Sequence, residues 1–191
     1  MTIEDGDITL YEDFFSRPFS DEIFKRLLKD INWEQNKIKV YNKVHLIPRL
    51  TAWYGNDNKY TYSNVVNLPK PWTEDLLLIK SKIEDEAGIL FTNVLLNLYR
   101  TGQDGMGWHR DNEKEFGEKP VIASVSFGET RTFRLRHKYK KELPKITLLL
   151  KHGSLLIMKG NTQHFWEHEV PKTSRSTHPR INLTFRAING K

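Results

Sequence analysis

The sequence predicts an α+β chain that is mainly β, a sandwich or jelly roll preceded by helices. Three observations point there. From about residue 92 onward the chain breaks into short β-branched or alternating runs bounded by Gly, Pro or charged turns. Two stretches before that point carry helical spacing instead. No repeat, low-complexity run or long linker divides the 191 residues, a length that suits one domain with a real core. Many short strands at such spacing favour a closed or double-sheet architecture.

The first helix is expected over 20–31, where Ile23, Phe24, Leu27, Leu28 and Ile31 share one face. Ser20 would cap it, with Asp21 and Glu22 in the first turn. The second is expected over 73–87, after Pro69 and Pro71, with Gly88 as its stop. Strands follow at 94–100, 121–127, 130–136, 146–150, 154–158 and 181–186. The helices would buttress one sheet, giving an N-terminal region over 1–90 and a β core over 91–191 within the same domain.

Composition narrows the function classes. Cysteine is absent, which excludes disulfides, thiolate zinc sites and cysteine nucleophiles. No run approaches the ~20 apolar residues of a membrane span, and the acidic start lacks the apolar core of a secretory signal. An intracellular chain with no membrane association is expected, cytoplasmic in a bacterium and nuclear in a eukaryote. The formal charge of +6 only slightly favours a polyanionic partner. Basic residues gather in Arg131, Arg134, Arg136, His137, Lys138, Lys140, Lys141 and Lys145, a hairpin suited to running along phosphates.

The chemistry-bearing motif is Trp108-His109-Arg110-Asp111. On a strand, residues i and i+2 share a face, so His109 and Asp111 can reach one metal. A distant histidine would complete the two-nitrogen, one-carboxylate set of a mononuclear iron oxygenase, which leaves positions open for co-substrate and oxygen. His164 and His168 compete for that place with the same strand parity. His168 is preferred because it adjoins the loop Glu169-Val170-Pro171 at a strand end. The same set can hold zinc for hydrolysis. Arginines downstream, Arg180 and Arg186, offer bidentate cations to a small dicarboxylate.

These residues do not stand alone. His109-x-Asp111, His168 and Arg180-x-Asn182-x-Thr184-Phe185-Arg186 occur together with Pro48-Arg49-x-Thr51-Ala52-x-Tyr54-Gly55, Asn97-x-Tyr99, His109-Arg110-Asp111-Asn112-Glu113 and Arg136-His137-Lys138. In order and spacing this set resembles the AlkB family of iron(II)- and 2-oxoglutarate-dependent dioxygenases. It is most similar to the nucleic-acid demethylases near AlkB homologues 2 and 3, over about residues 35–188. The resemblance implies a double-stranded β-helix (jelly roll) with N-terminal buttressing helices and a nucleotide-recognition extension.

By the same resemblance, His109, Asp111 and His168 would be catalytic ligands to Fe(II), which settles the choice against His164. Arg180 and Arg186 would hold 2-oxoglutarate, with Asn97, Tyr99 and Asn182 hydrogen-bonding to it, and O2 would be the second co-substrate. The implied activity is oxidative demethylation of 1-methyladenine and 3-methylcytosine in DNA through an iron(IV)-oxo oxidant, releasing formaldehyde, succinate and CO2. RNA is a further candidate substrate. Tyr62 would stack on the extruded base, Glu113 would line its pocket, and Tyr41 would wedge into the duplex where related enzymes carry Phe. Arg136 and Lys138 would contact phosphate. The chain is expected to act as a monomer on single- or double-stranded DNA. The competing readings are a dioxygenase for a modified RNA base or a protein side chain, and an inactive nucleic-acid-binding module on the same fold.

Overall fold

The computed structural model describes residues 2–188 apart from 41–42, 57–59, 63–64, 68 and 176–177. The chain begins with β1 (Thr2–Ile3), β2 (Gly6–Tyr11), α1 (Arg17–Asp30), β3 (Lys37–Val40), β4 (Lys43–Leu46), β5 (Leu50–Gly55), β6 (Tyr60–Tyr62), β7 (Val65–Asn67) and α2 (Glu74–Ala87). It continues through β8 (Asn93–Tyr99), β9 (Met106–His109), a 3₁₀ turn at Lys114–Phe116, β10 (Ile122–Gly128), β11 (Arg131–His137), β12 (Ile146–Leu150) and β13 (Ser154–Lys159). The short α3 (Thr162–Phe165), β14 (Trp166–Val170) and β15 (Arg180–Arg186) complete it.

Two antiparallel sheets carry the architecture. The major sheet has seven strands in the order β1-β2-β13-β10-β15-β8-β5, and the minor sheet has four, β12-β11-β14-β9. The mainly β jelly roll expected from sequence is borne out. Both β2 and β5, from the first ninety residues, extend the major sheet.

Strand periodicity decides what each face of the major sheet does. On β10 and β15 the residues Ala123, Val125, Phe127, Ile181, Leu183 and Phe185 turn one way and pack under the helices. There they meet Ile23 and Leu27 of α1 and Leu76, Ile79 and Ile83 of α2. Each such large apolar side chain contributes about 1.5–3 kcal/mol when buried. The opposite face of the same strands carries Ser124, Ser126, Arg180, Asn182, Thr184 and Arg186, all buried. That face turns toward the minor sheet. The space between the sheets is apolar where Ile8, Ile122, Leu135, Leu150, Leu156 and Trp166 meet, and polar where β8, β15 and β9 converge.

The helix starts are only partly legible in sequence. α2 follows its signals: the Thr73 hydroxyl accepts from the Leu76 amide at 3.3 Å, and Gly88 ends the helix at φ 71°. α1 begins earlier than expected. Ser16 is its N-cap and Pro18 sits in the first turn, where a missing N–H does no harm. Ser20 is therefore inside the helix, buried, with its hydroxyl 3.5 Å from the Phe15 carbonyl.

The basic hairpin also departs from expectation. Arg131 is 2% exposed, and its guanidinium donates to the carbonyls of Asp104 at 2.9 Å and Pro171 at 2.7 Å. It joins the loop after β8 to the loop after β14 and is not available to phosphate. His137 is likewise buried, 3.2 Å from Asp5. Arg134 and Arg136 pair with Glu169 and Glu167, and Lys140 with Glu4 and Asp5. Acids distant in sequence neutralise much of what reads as a basic stripe.

Gly128 ends β10 at φ +90°, and a Cβ there would stand 2.4 Å from the Pro179 carbonyl oxygen and 2.7 Å from the Phe24 ring. Gly128→Ala is expected to destabilise the fold by ~2–4 kcal/mol, combining left-handed strain with a backbone clash. Gly88→Ala, with open space around it, should lose only ~1 kcal/mol. Urea unfolding of both variants checks this; equal losses would remove the steric part of the account.

Candidate metal centre

β9 and β14 are neighbours in the minor sheet, and their register sets His109 opposite His168. The two imidazoles lie with ring centroids 4.2 Å apart at 65°. Asp111 follows two residues after His109, beyond the end of β9, and its Oδ2 stands 3.7 Å from His168 Nε2. One ligand atom from each of the three residues lies within 4.8 Å of the others. His164, the alternative, sits on α3 with its Nε2 against the Glu118 carbonyl, away from this group. Parity alone could not separate the two histidines; the position of α3 does.

Each ligand is prepared for a cation. The Nδ1 of His109 is 2.8 Å from the Gly107 carbonyl oxygen. A carbonyl can only accept, so Nδ1 carries a proton and Nε2 is the nitrogen left to face a metal. His168 is buried, with the Phe133 ring stacked on it at 5.2 Å. Burial, with His109 alongside, lowers its pKa to about 3. Burial alone would raise the Asp111 carboxyl, but the charge of Arg186, with His168 and His109, outweighs this and holds it at about 2. A neutral imidazole and an ionised carboxylate are the forms that bind metal. Arg186 Nη2 donates to Asp111 Oδ1 at 2.7 Å.

Beside the triad runs a polar row across the major sheet. The registers place Thr51 opposite Asn97, Asn97 opposite Asn182, and Asn182 opposite Ser126. Asn182 Nδ2 donates to Ser124 Oγ at 2.8 Å, and its Oδ1 accepts from Thr184 Oγ1 at 3.0 Å and Asn97 Nδ2 at 3.3 Å. Arg49 Nε donates to Asn97 Oδ1 at 2.7 Å. Opposite Tyr99 stands Arg180, 1% exposed, its guanidinium 5.2 Å from the phenol ring and its Nη2 2.9 Å from Ser126 Oγ. Tyr99 is also a side-chain hydrogen-bond partner of this guanidinium. Burial, opposed by Tyr99, lowers its pKa to about 10, so it remains a cation at neutral pH.

The triad, Arg186, Asn97, Tyr99, Asn182 and Glu113 all line one cavity of about 260 Å³. Phe133, Met106, Met158 and Val170 supply its apolar wall. Arg136 and Lys138 are not in that wall. Arg136 pairs with Glu167 and stacks over Trp108 at 4.3 Å, and Lys138 lies over Tyr139 at 5.2 Å. Tyr41 lies outside the described residues, as does the side chain of Tyr62, whose backbone belongs to β6. Sequence reasoning missed Arg49 and Gln163 as site residues. Arg49 stood in a quoted motif; nothing in the sequence marked Gln163.

The donor set suits iron. Two imidazole nitrogens and one carboxylate oxygen on adjacent chain segments are the hard-to-borderline ligands of a divalent iron with open positions. The buried guanidinium of Arg180, a cation at neutral pH, is chemically suited to a carboxylate.

Comparison with known proteins agrees with these features. Residues 7–186 match the profile of the 2OG-Fe(II) oxygenase superfamily. The chain is 41% identical over 189 residues to "Alpha-ketoglutarate-dependent dioxygenase alkB homolog 3" of Homo sapiens, covering 95% of this chain and 66% of that protein. It is 38% identical over 188 residues to "DNA oxidative demethylase ALKBH2" of Homo sapiens, covering 93% and 72%. It spans 62% of the bovine alkB homolog 3 and 64% of the rat protein, less than two thirds of each. A solved structure, "The structure of OsALKBH1", superposes with a TM-score of 0.68 over 95% of this chain and 97% of that one, at 16% identity. That last likeness concerns the fold alone.

With a chelator present, stability should fall as pH drops below about 6.5. There an unfolded histidine takes up a proton that folded His168 refuses until about 3. Asp111 adds stability that is complete above about pH 4 and is lost as pH falls toward 2. Denaturant unfolding of wild type and His168→Asn across pH 4–7 checks the sign. The variant should show the flatter profile; identical slopes would count against a histidine held neutral by burial.

Proposed function

From the premise that this chain belongs to the 2OG-Fe(II) oxygenase superfamily and, within it, to the AlkB family, we propose that it is an oxidative demethylase of N-alkylated bases in DNA. One observation carries the reading. Two histidines and a carboxylate converge within 4.8 Å, and a second, buried arginine, Arg180, stands against Tyr99 in the adjoining row. A zinc hydrolase has no use for the second feature.

His109, Asp111 and His168 would hold Fe(II). Arg180 and Arg186 would hold 2-oxoglutarate, with Asn97, Tyr99 and Asn182 hydrogen-bonding to it. Iron with 2-oxoglutarate and O2 supplies oxidation of a methyl group to a hydroxymethyl that leaves as formaldehyde, with succinate and CO2 as co-products. The protein's own part is placement and exclusion of water. Phe133, Met106, Met158 and Val170 present few groups that hydrogen-bond water. Arg186 has a second task, keeping the Asp111 carboxylate ionised and aimed at the histidines.

The expected substrates, 1-methyladenine and 3-methylcytosine, are cationic near neutral pH. A cavity walled by Glu113 and Asp111 with the Trp53 ring favours such a base over its neutral parent. In a duplex the base must leave the stack to reach the cavity. Tyr62 would stack on the extruded base, and Tyr41 would wedge into the space it vacates. Arg136 and Lys138 would meet phosphate, Arg136 only by sharing or releasing Glu167. RNA would be accepted where the strand is single, and the enzyme would act as a monomer. Among the described residues no helix is long and apolar enough to cross a membrane.

Purified protein with Fe(II), 2-oxoglutarate, ascorbate and air should remove one methyl mass from a 3-methylcytosine oligonucleotide with matching succinate. Succinate without a mass change would move the search to an RNA base or a protein side chain. Neither product, with iron bound, would sink the enzyme reading. Arg180→Met should raise the KM for 2-oxoglutarate by roughly tenfold or more, since a paired buried charge is lost. Tyr41→Ala should slow repair of duplex more than of single-stranded oligonucleotide; equal losses would remove the wedge.

A further inference from the structure

Asp111 lies past the end of β9 and before the 3₁₀ turn, so neither the strand ladder nor a helix takes its backbone amide. That amide is buried and donates to Gln163 Oε1 at 3.0 Å, across 52 residues of chain. Gln163 itself is fully buried, and its Nε2 has the Met158 sulfur at 3.5 Å. Next to this bond runs a second one in the same direction. Arg110 Nη1 donates to the His164 carbonyl at 2.9 Å. Residues 110–111 are thus tied at two points to residues 163–164.

The piece that holds them is itself anchored. Thr162 Oγ1 accepts from the Asp7 amide at 2.9 Å and lies 2.6 Å from the Lys159 carbonyl it donates to. The His164 and Phe165 amides return to the Asn161 carbonyl. α3 then passes without a break into β14, which carries His168 five residues after Gln163. One rigid segment therefore presents both a metal-ligand histidine and the acceptor that fixes the backbone of the carboxylate ligand.

We propose that Gln163 is a positioning residue for the metal centre, and that α3, through Gln163 and Arg110, sets the separation of Asp111 from His168. The inference rests on His109, Asp111 and His168 being metal ligands. Physical need supports it. Arg186 holds Asp111 Oδ1 from the major sheet, and the two bonds to α3 hold the backbone of the irregular segment that carries the carboxylate. Without an acceptor at position 163, a buried amide would lack a partner, and the segment would shift until it found one. The carboxylate would move with it, out of its place beside the histidines. Partners that orient a ligand in this way typically govern metal affinity by about 10–100-fold.

Gln163→Met keeps the length and volume of the side chain and removes the acceptor. Co(II) titration of the full chain, read by heat and by the visible ligand-field bands, should find binding weakened by about tenfold or more with altered band positions. The chelator-treated protein should still unfold in one cooperative transition, with a melting temperature lowered by several degrees, as for the loss of one buried hydrogen bond. Gln163→Glu, which retains an oxygen acceptor, should recover most of the affinity and the wild-type bands. Arg110→Met, which cuts only the other tie, should weaken Co(II) less and in the same direction. Wild-type affinity and bands in Gln163→Met would overturn the proposal. If that variant does not fold, unchanged Co(II) binding by Arg110→Met overturns it instead. Failure of wild type to bind Co(II) would strike the metal-centre reading itself, and loss of binding in His109→Ala alone would leave that reading standing without Gln163.

Discussion

The buried ion pair between Asp111 and Arg186 is the constraint around which the site is built. A carboxylate enclosed by two sheets would take up a proton unless a cation stood beside it. Arg186 Nη2, at 2.7 Å, prevents that. The arginine comes from the last strand of the major sheet and the aspartate from the loop after β9 in the minor one. The pair therefore also joins the two layers at the polar end of the sandwich. Such pairs are weak evidence for stability, since desolvation offsets most of the attraction. What this one fixes is a charge state and a direction.

The interior between the sheets divides along its length. At one end Ile8, Leu135, Leu150, Leu156 and Trp166 make an ordinary apolar core. The N-terminal segment seals that end: Trp166 Nε1 donates to the Glu4 carbonyl at 2.8 Å, and Asp5 meets His137 and Lys140. At the other end the same alternation that feeds apolar residues to the helices leaves Asn97, Asn182, Thr184 and Ser124 facing inward. Their mutual hydrogen bonds satisfy most of the buried polarity. Arg180 closes the row, held by Ser126 and Tyr99.

Long-range ties govern which residues remain available for a partner. Arg131 sits in the midst of a basic run but spends its donors on loop carbonyls. Arg134 and Arg136 face acids on β14, two residues apart like themselves, because β11 and β14 pair in register. A net charge of +6 thus overstates the free basic surface on this hairpin.

The sequence by itself determined the architecture class and the chemistry of the donors. Short alternating strands after residue 92 and helical spacing before it follow from side-chain periodicity, which is a local property. α2 was legible almost to the residue because Thr73 and Gly88 act within one turn of the helix. α1 was misplaced because Pro18 and Ser16 carried a weaker signal than the acids after Ser20. His109 and Asp111 share a short motif, so their pairing was readable. Periodicity left His164 and His168 level, and the motif resemblance chose His168; tertiary structure decided that Arg131 is a clamp and that Gln163 meets the Asp111 backbone. Each of these depends on strand register and on segments some 50 residues apart meeting in space, and no local pattern in the chain encodes such a meeting.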